Sequence, residues 1–284
     1  DRLKYQARHD QLTSLPNRLA FEESLRALVK HVREQRDQAF LMYLDIDHFK
    51  MVNDVHGHDV GDQLLLKVSQ LLRALLGPQD QLARLGGDEF AITLHLPDAG
   101  MARRVAEHLI ATVKAYRFEI GGRQFEAGLS IGIVAIAADH CDPSVLMARA
   151  DTACYAAKDR GRGRSHLYLH DDPHIASAER TLDCANRIQR AFDDDRFEVH
   201  LQEIVGRDSK VLGYESLIRM RSETGDLVMP GAFMPAVQRM GWMTRIDQWM
   251  LLNVIAVALG WPSSNGQQPY LSLNLSARSI GDET

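Results

Sequence analysis

The sequence predicts an α/β protein with two domains, the first built around one mostly antiparallel sheet and the second starting as a βα-type barrel. Three observations predict this. The 284 residues fit about two domains of roughly 100 to 200 residues each. Strand-length apolar runs alternate with helical patterns along the chain. A polar segment with a proline, at 170–174, separates two series of such elements.

The elements of the first domain follow from apolar spacing and turn residues. A turn signal at 15–18 precedes a helical pattern over 19–32. The apolar run 39–46 ends in acids, which favours a buried strand, and Asp47 is the expected N-cap of the next helix. Two glycines between apolar runs indicate a hairpin. The predicted strands are 39–46, 81–85, 90–96, 118–120, 124–127, 129–137 and 165–169, and the further predicted helices are 48–55, 59–76, 99–115 and 143–158.

The second domain continues the alternation. A complete barrel needs roughly 250 residues, so we expect 178–284 to hold only its N-terminal part. The predicted helices are 178–193, 233–240 and 246–259, and the predicted strands are 197–205, 211–220 and 270–275. The expected boundaries are 1–9 for the end of an upstream signalling helix, 10–170 for the first domain, 171–177 for a linker and 178–284 for the second domain.

Charge and composition exclude several classes of protein. The formal net charge of -5, from 33 Lys+Arg and 38 Asp+Glu, gives no global positive field for nucleic acid. The longest apolar run, 249–261, is shorter than the ~20 residues that cross a bilayer. Cys141, Cys154 and Cys184 lack metal-ligand spacing, and their odd number favours reduced thiols in the cytoplasm. Because the chain starts at Asp1 rather than Met, it could also be the cytoplasmic part of a membrane-anchored sensor.

A strand that ends in acids and leads directly into a helix indicates a phosphate and metal site. Asp45 and Asp47 end the run 39–46, and Lys50 follows within the first helical turn. Carboxylates are hard ligands for Mg²⁺, helix N–H groups donate to phosphates, and lysine neutralises remaining charge. The same acids could simply end a strand and cap a helix. This segment alone favours neither interpretation.

The hairpin tip supplies a second source of acids. Gly86 and Gly87 permit a tight turn and close approach of a ligand, while Asp88 and Glu89 offer metal ligands or a proton acceptor. Two-metal phosphoryl-transfer sites need carboxylates from different strands. The two segments together therefore favour phosphate chemistry.

These segments resemble the GGDEF diguanylate cyclases. Residues 86–90 spell the family signature, and the other family blocks follow family order at 10–18, 45–53, 57–62 and 155–162. The resemblance implies a nucleotidyl-cyclase-like fold and the condensation of two GTP into cyclic di-GMP and two pyrophosphates. It also implies a homodimer through these domains, because each holds one GTP, and an upstream sensory domain in cis.

The resemblance implies roles for single residues. Two Mg²⁺ or Mn²⁺ ions would be held by the side chains of Asp45, Asp88 and Glu89 and by the carbonyl of Ile46. Asp88 or Glu89 would accept the 3′-hydroxyl proton, and Lys50 would stabilise charge on phosphorus. Asn53 and Asp62 would read guanine, and Lys158 and Arg162 would reach the outer phosphates. The implied GTP-binding residues are His48, Phe49, Lys50, Asn53, His58, Asp62, Lys158 and Arg162.

One departure concerns product inhibition. Many GGDEF proteins carry an Arg-x-x-Asp pair before the hairpin, and here Gly77 stands in the Arg position while Asp80 is present. Without the bidentate Arg contact, we expect no product inhibition through this pair.

The second domain resembles the EAL cyclic di-GMP phosphodiesterases, with Glu215-Ser216-Leu217 at the signature. Glu215 and Asn274 would ligate Mg²⁺ or Mn²⁺, Arg219 would hold a phosphate, and Gln202 would contact substrate. Glu203 stands where Pro is usual. The leading interpretation is a cyclase tethered to a phosphodiesterase module. The alternative is a GTP-binding regulatory module that controls cyclic di-GMP hydrolysis.

Overall fold

The computed structural model describes residues 5–35, 37–120, 123–137, 142–207, 209–260, 270–276 and 279. The chain divides into two compact units, Asp1–Glu179 and Arg180–Thr284. Among the described helices, none is both long and apolar enough to cross a membrane. Cys141, Gly121, Gly122 and residues 1–4 of the expected upstream helix lie outside the described residues.

The first unit is built on a five-stranded sheet with the spatial order β2-β3-β1-β6-β7. Its neighbouring strands are antiparallel except β6 and β7, which are parallel, so the predicted mostly antiparallel sheet is confirmed. β4 and β5 form a separate hairpin. The strands are β1 (Ala39–Asp47), β2 (Gln81–Gly86), β3 (Glu89–His95), β4 (Phe118–Ile120), β5 (Arg123–Phe125), β6 (Gly128–Ile136) and β7 (Ser165–Leu167).

Helices cover both faces of this sheet. β1 is buried along its whole length, and its side chains alternate between two cores. Phe40 and Met42 pack with α3 and α4, whereas Leu41 and Tyr43 pack with α1 and α5. Asp45 follows Tyr43 by two residues, so its side chain lies on the same face of the sheet, which α1 and α5 cover. The helices are α1 (Arg18–Gln35), α2 (Phe49–His56), α3 (His58–Ala74), α4 (Ala99–Ala115) and α5 (Pro143–Asp159).

A glycine in β6 lets α5 lie unusually close to the sheet. A Cβ atom added at Gly132 would lie 2.0 Å from the carbonyl oxygen of Ala150 and 2.3 Å from the backbone nitrogen of Cys154. Any larger residue would push the helix outward. This contact sets the position of α5, whose last turn carries Lys158.

The described part of the second unit contains a small sheet, most of α6 (Pro173–Asp193) and two further helices. β8 and β10 pair antiparallel with β9, and β11 pairs parallel with β9 after two helices. A parallel pair joined through helices is the connection expected at the start of a βα barrel. The elements are β8 (Phe197–Val205), β9 (Val211–Arg221), β10 (Leu227–Val228), α7 (Pro230–Arg239), α8 (Met243–Leu259) and β11 (Tyr270–Leu273).

One helix starts earlier than the sequence predicts. α6 (Pro173–Asp193) begins within the segment 171–177 that was predicted as a linker, rather than at 178. Asp172 caps it, because its Oδ1 accepts a hydrogen bond from the His174 backbone N–H at 2.7 Å. Proline is well suited to the first helical position, where no N–H is needed.

Candidate active site

Strand pairing brings the acids of two sequence segments together. Asp45, near the end of β1, lies opposite Glu89 on β3 and Ser130 on β6. Asp88 lies in the β2–β3 turn, and its carbonyl oxygen accepts from the Ile46 N–H at 3.3 Å. Asp45 is 8% exposed, so its carboxylate is largely removed from water.

A lysine from the last turn of α5 completes this group. The Nζ atom of Lys158 lies 2.6 Å from Oδ2 of Asp45. The Lys158 side chain is 29% exposed and that of Asp45 is 12% exposed, so the ion pair is mostly shielded from solvent. The predicted residues Asp45, Asp88 and Lys158 therefore lie in one group, although the 112 residues of 46–157 separate Asp45 from Lys158 in the chain.

Burial and mutual repulsion raise the pKa values of the two acids. Burial, together with the negative charge of Asp88, raises the pKa of Asp45 to about 6 despite the attraction of Lys158. Burial is also the main reason that the pKa of Asp88 is raised, and Glu89 adds to it. Although burial alone would lower it, the pKa of Lys158 is raised by Asp45. The lysine therefore stays charged, whereas burial and repulsion make the ionised form of both carboxylates less favourable.

These donors fit a magnesium-type ion. Two neighbouring carboxylates and the Ile46 carbonyl are hard oxygen ligands, and a divalent cation would relieve the repulsion between Asp45 and Asp88. In the described part of the chain, no three or more His, Cys, Asp or Glu side chains form a metal-holding group. Mg²⁺ is usually held by one or two carboxylates with water and substrate phosphates, so two suffice.

Glu89 has partners of its own. Its carboxylate interacts with the hydroxyl of buried Tyr43, and its Oε2 lies 3.4 Å from Nη2 of Arg18. Burial and Glu89 raise the pKa of Tyr43 above its ordinary value, so the phenol remains a proton donor. Neither Tyr43 on β1 nor Arg18 at the start of α1 is among the predicted site residues, and their side-chain contacts with Glu89 reveal them.

The first turn of α2 presents backbone donors beside the acids. His48 precedes the helix with a φ of 61° and is exposed, as is Lys50. The Phe49 side chain is buried in the core, so only its backbone N–H is available to a ligand. Asp47 is not the N-cap that the sequence predicts, because the strand continues through it and His48 takes that position.

Asp47 instead holds the loop after α5. It accepts hydrogen bonds from the Ser130 hydroxyl at 2.6 Å and the Gly163 N–H at 3.0 Å. Arg162 lies in this loop, exposed and with a φ of 57°. Asp47 therefore fixes the segment that joins Lys158 to Arg162. An acid at a buried strand end was the only sequence signal for it.

An unpaired amide marks the space between α2 and α3. The Oδ1 atom of Asn53 is buried and has no hydrogen-bond partner among the described residues. A Cβ added at Gly61 would lie 1.9 Å from this oxygen, so Gly61 leaves the room that Asn53 occupies. Asp62 and His58 are exposed on α3. An orphaned buried acceptor is costly unless a ligand donates to it.

A largely buried arginine, with 10% of its side chain exposed, secures the hairpin tip. Nε and Nη2 of Arg84 donate to the Gly87 carbonyl oxygen at 3.0 and 2.8 Å, and Nη1 donates to Asp10 Oδ1 at 2.9 Å. Asp10 also accepts from the Thr13 hydroxyl at 2.7 Å. This clamp positions the turn that carries Asp88. Asp10 lies in one of the family blocks, at 10–18, whereas no motif marks Arg84.

The second unit has a polar group of its own. Asn274 Nδ2 donates to Glu215 Oε1 at 2.8 Å, and Gln202 lies opposite Glu215 in the β8–β9 register. These three predicted residues are therefore neighbours. Arg219 lies four positions along β9, about 13 Å away by strand rise, and donates to the Ile218 carbonyl at 2.8 Å. The structure does not bring Arg219 into contact with Glu215.

The first unit is therefore an α/β unit with an acidic site suited to phosphate chemistry. This class of site combines a strand-end acid, a second acid at a glycine hairpin and a nearby helix N-terminus. Residues 7–164 match the family described as "Diguanylate cyclase, GGDEF domain", and residues 185–284 match "EAL domain". The chain belongs to the GGDEF diguanylate cyclase family and carries an EAL domain in tandem. Both families generally depend on divalent metals.

Relatives share this tandem arrangement. The chain is 33% identical over 286 residues to the cyclic di-GMP phosphodiesterase PdeB of Shewanella oneidensis, covering 99% of this chain and 32% of PdeB. It is 32% identical over 273 residues to the bifunctional diguanylate cyclase/cyclic di-GMP phosphodiesterase MucR of Pseudomonas aeruginosa, covering 95% of this chain and 39% of MucR. The chain thus spans well under half the length of these relatives.

A solved structure supports the fold of the first unit. The GGDEF domain of TpbB from Pseudomonas aeruginosa superimposes with a TM-score of 0.57 at 38% sequence identity, covering 60% of this chain and 99% of that chain. The nucleotidyl-cyclase-like fold implied by the sequence motifs is therefore confirmed.

Proposed function

We propose that the first unit condenses two GTP into cyclic di-GMP and two pyrophosphates, as a diguanylate cyclase tethered to an EAL phosphodiesterase module. The observation that carries this proposal is the shielded group of Asp45, Asp88 and Lys158. Two acids with raised pKa values are suited to bind a metal ion or a proton. An ion pair that only stabilised the fold would need one acid beside the lysine, not two.

The acids would hold the metal and take the proton. Asp45, Asp88 and the Ile46 carbonyl would hold two Mg²⁺ or Mn²⁺ ions, with Glu89 at the second. When held by these residues, the divalent ions would supply positive charge that offsets the charge of the triphosphate. Asp88 is the better acceptor for the 3′-hydroxyl proton, because its pKa is raised while Glu89 is engaged by Tyr43 and Arg18.

The surrounding donors would bind GTP. The His48 and Phe49 N–H groups and the Lys50 ammonium would hold the phosphates at the start of α2. Lys158 and Arg162 would neutralise the outer phosphates. The unpaired Oδ1 of Asn53 would accept from the guanine amine, with Asp62 accepting beside it and His58 near the same pocket.

Two first units must meet for the reaction. One site binds one GTP, and the 3′-hydroxyl of each GTP has to attack the α-phosphate of the other. We therefore infer a homodimer through the GGDEF units, with an upstream sensory domain in cis controlling it. The free thiols Cys154 and Cys184 suit a cytoplasmic location, where GTP is available.

The second unit supplies the hydrolytic half of the proposal. Glu215 and Asn274 would hold Mg²⁺ or Mn²⁺, Gln202 would contact cyclic di-GMP, and Arg219 would bind a phosphate. The hydrogen bond between Asn274 and Glu215 supports this pairing.

A second candidate function has support from one relative. PdeB aligns over 99% of this chain and is named for hydrolysis alone. The first unit could accordingly bind GTP and regulate the EAL domain without making product.

A GTP turnover assay distinguishes a diguanylate cyclase from a regulatory module that only binds GTP. The full chain is incubated with GTP and Mg²⁺ and assayed for cyclic di-GMP, beside the double variant Asp88→Ala/Glu89→Ala. A control, Glu34→Ala/Asp37→Ala, removes two exposed acids at the end of α1. We expect product from the unmodified chain and the control, at a rate that rises with the square of protein concentration while dimers are scarce. Tight GTP binding without product by the unmodified chain would refute the cyclase and leave the regulatory function.

A further inference from the structure

A cavity of about 530 Å³ lies in the first unit, on a different set of residues from the acidic site. α4 lines one side, and β7 with the loop after α5 lines the other. Gly163 lines this cavity and also contacts the acidic site, because its N–H donates to Asp47. Small-molecule sites range from about 300 to 1,000 Å³, so the cavity has the size of a ligand site.

Basic side chains dominate the lining of this cavity. The basic groups are Arg103, Lys114, Arg160 and Arg164, and the acids are Glu107 and Asp172. In the part of the chain that the structure describes, none of the four basic groups lies within 4.0 Å of a carboxylate oxygen. Four basic groups against two acids leave the cavity with an excess of positive charge that a bound anion would neutralise.

The same cavity has an apolar side. Ile110, Leu167 and Leu169 line it, and Leu169 is 54% exposed. A bare inorganic ion would leave this surface in water, whereas a ligand with a flat or apolar group would cover it. The lining therefore fits an anion that also carries an organic group.

A buried histidine keeps one of the arginines at the cavity wall. His166 is 7% exposed, and its Nδ1 accepts from Arg160 Nη1 at 3.3 Å. Since arginine only donates, the proton is on Nε2, which donates to Asp172 Oδ2 at 3.1 Å. Arg160 thus gains a defined position without an acid that neutralises it. Preorganised, uncompensated cations are what a phosphate site requires.

We propose that this cavity binds an organic phosphate of mononucleotide size, with the phosphate on the basic residues and the organic group against Leu167 and Leu169. It lies beside Asp172, the residue that caps α6, and α6 continues into the second unit. The site is independent of the proposed cyclase reaction, since it shares none of the GTP or metal residues.

The test is calorimetric titration of the full chain with AMP in EDTA. EDTA removes the divalent ions that the acidic site needs, and adenine lacks the N1–H and 2-amino groups with which guanine would donate to Asn53 and Asp62. Inorganic phosphate is the second probe. The variant Arg103→Gln/Lys114→Gln removes two cavity cations, and the control Lys67→Gln/Arg104→Gln removes two exposed cations elsewhere.

We expect AMP to bind the unmodified chain, at least tenfold more weakly to the cavity variant, and within twofold of the unmodified value to the control. Phosphate should bind more weakly than AMP. The replaced side chains are exposed, so both double variants should melt at the temperature of the unmodified chain. Absence of AMP binding, equal binding by the cavity variant, or phosphate binding as tightly as AMP would each overturn the proposal.

Discussion

The ammonium of Lys158 lies 2.6 Å from the Asp45 carboxylate, and strand pairing places Asp88 next to them. The lysine thus occupies the place of a counter-ion between two acids that would otherwise repel each other. In the proposed reaction the same ammonium would turn to the triphosphate when divalent cations neutralise the acids.

Replacing Lys158 by Met should remove cyclase activity. The variant loses the lysine that contacts Asp45, so charge on the bound triphosphate is stabilised less, and the rate should fall about 100-fold or more. The measurement is cyclic di-GMP production at saturating GTP and Mg²⁺. Lys67→Met, exposed on α3, is the control and should retain the normal rate. An active Lys158→Met variant would remove this lysine from the mechanism.

Magnesium binding should weaken in mild acid. The pKa of Asp45 is raised to about 6, above its unfolded value, so the carboxylate takes up a proton as the pH falls through 6. Proton competition at one such group should weaken Mg²⁺ binding about fourfold between pH 7.5 and pH 5.5. The measurement is calorimetric Mg²⁺ titration at both pH values. Asp45→Asn should bind Mg²⁺ weakly at both, and equal affinity of the unmodified chain at the two pH values would contradict the assignment.

Loosening the Arg84 clamp should slow turnover without preventing GTP binding. Arg84→Lys cannot reproduce the contacts to both the Gly87 carbonyl and Asp10, so the hairpin tip with Asp88 should lose its fixed position. We expect kcat to fall about tenfold, with GTP affinity within twofold of normal. The control is Arg33→Lys on the exposed end of α1. A parallel loss of GTP affinity would show that Arg84 acts on binding instead.

Cyclic di-GMP should not inhibit the cyclase through the Gly77 region. Asp80 Oδ2 accepts from the Gly77 backbone N–H at 2.8 Å, so its carboxylate is engaged locally. Gly77→Arg should introduce inhibition, measured as the change in initial rate with added cyclic di-GMP. Arg73 lines the same 400 Å³ cavity as Asp80 and offers an alternative cation. Non-competitive inhibition of the unmodified chain that disappears in Arg73→Ala would refute the prediction.

The sequence determined the family, the order of the elements and the identity of most of the acids. The continuous apolar run of β1 and the helical spacing in α1, α3 and α4 predict these elements within a few residues, because local burial patterns set them. The motif at 86–90 fixed the hairpin in the same way. Signals of this kind lie within short stretches of chain.

Only the tertiary structure decided which of these residues touch. The contact of Lys158 with Asp45 depends on the register of β1 and on the close approach of α5 at Gly132. Asp47 proved to hold the Gly163 loop rather than to cap a helix. Arg84 became visible as the clamp of the hairpin tip only through its fold contacts. Such pairs are far apart in the chain, so their geometry depends on packing distances that residue order does not contain.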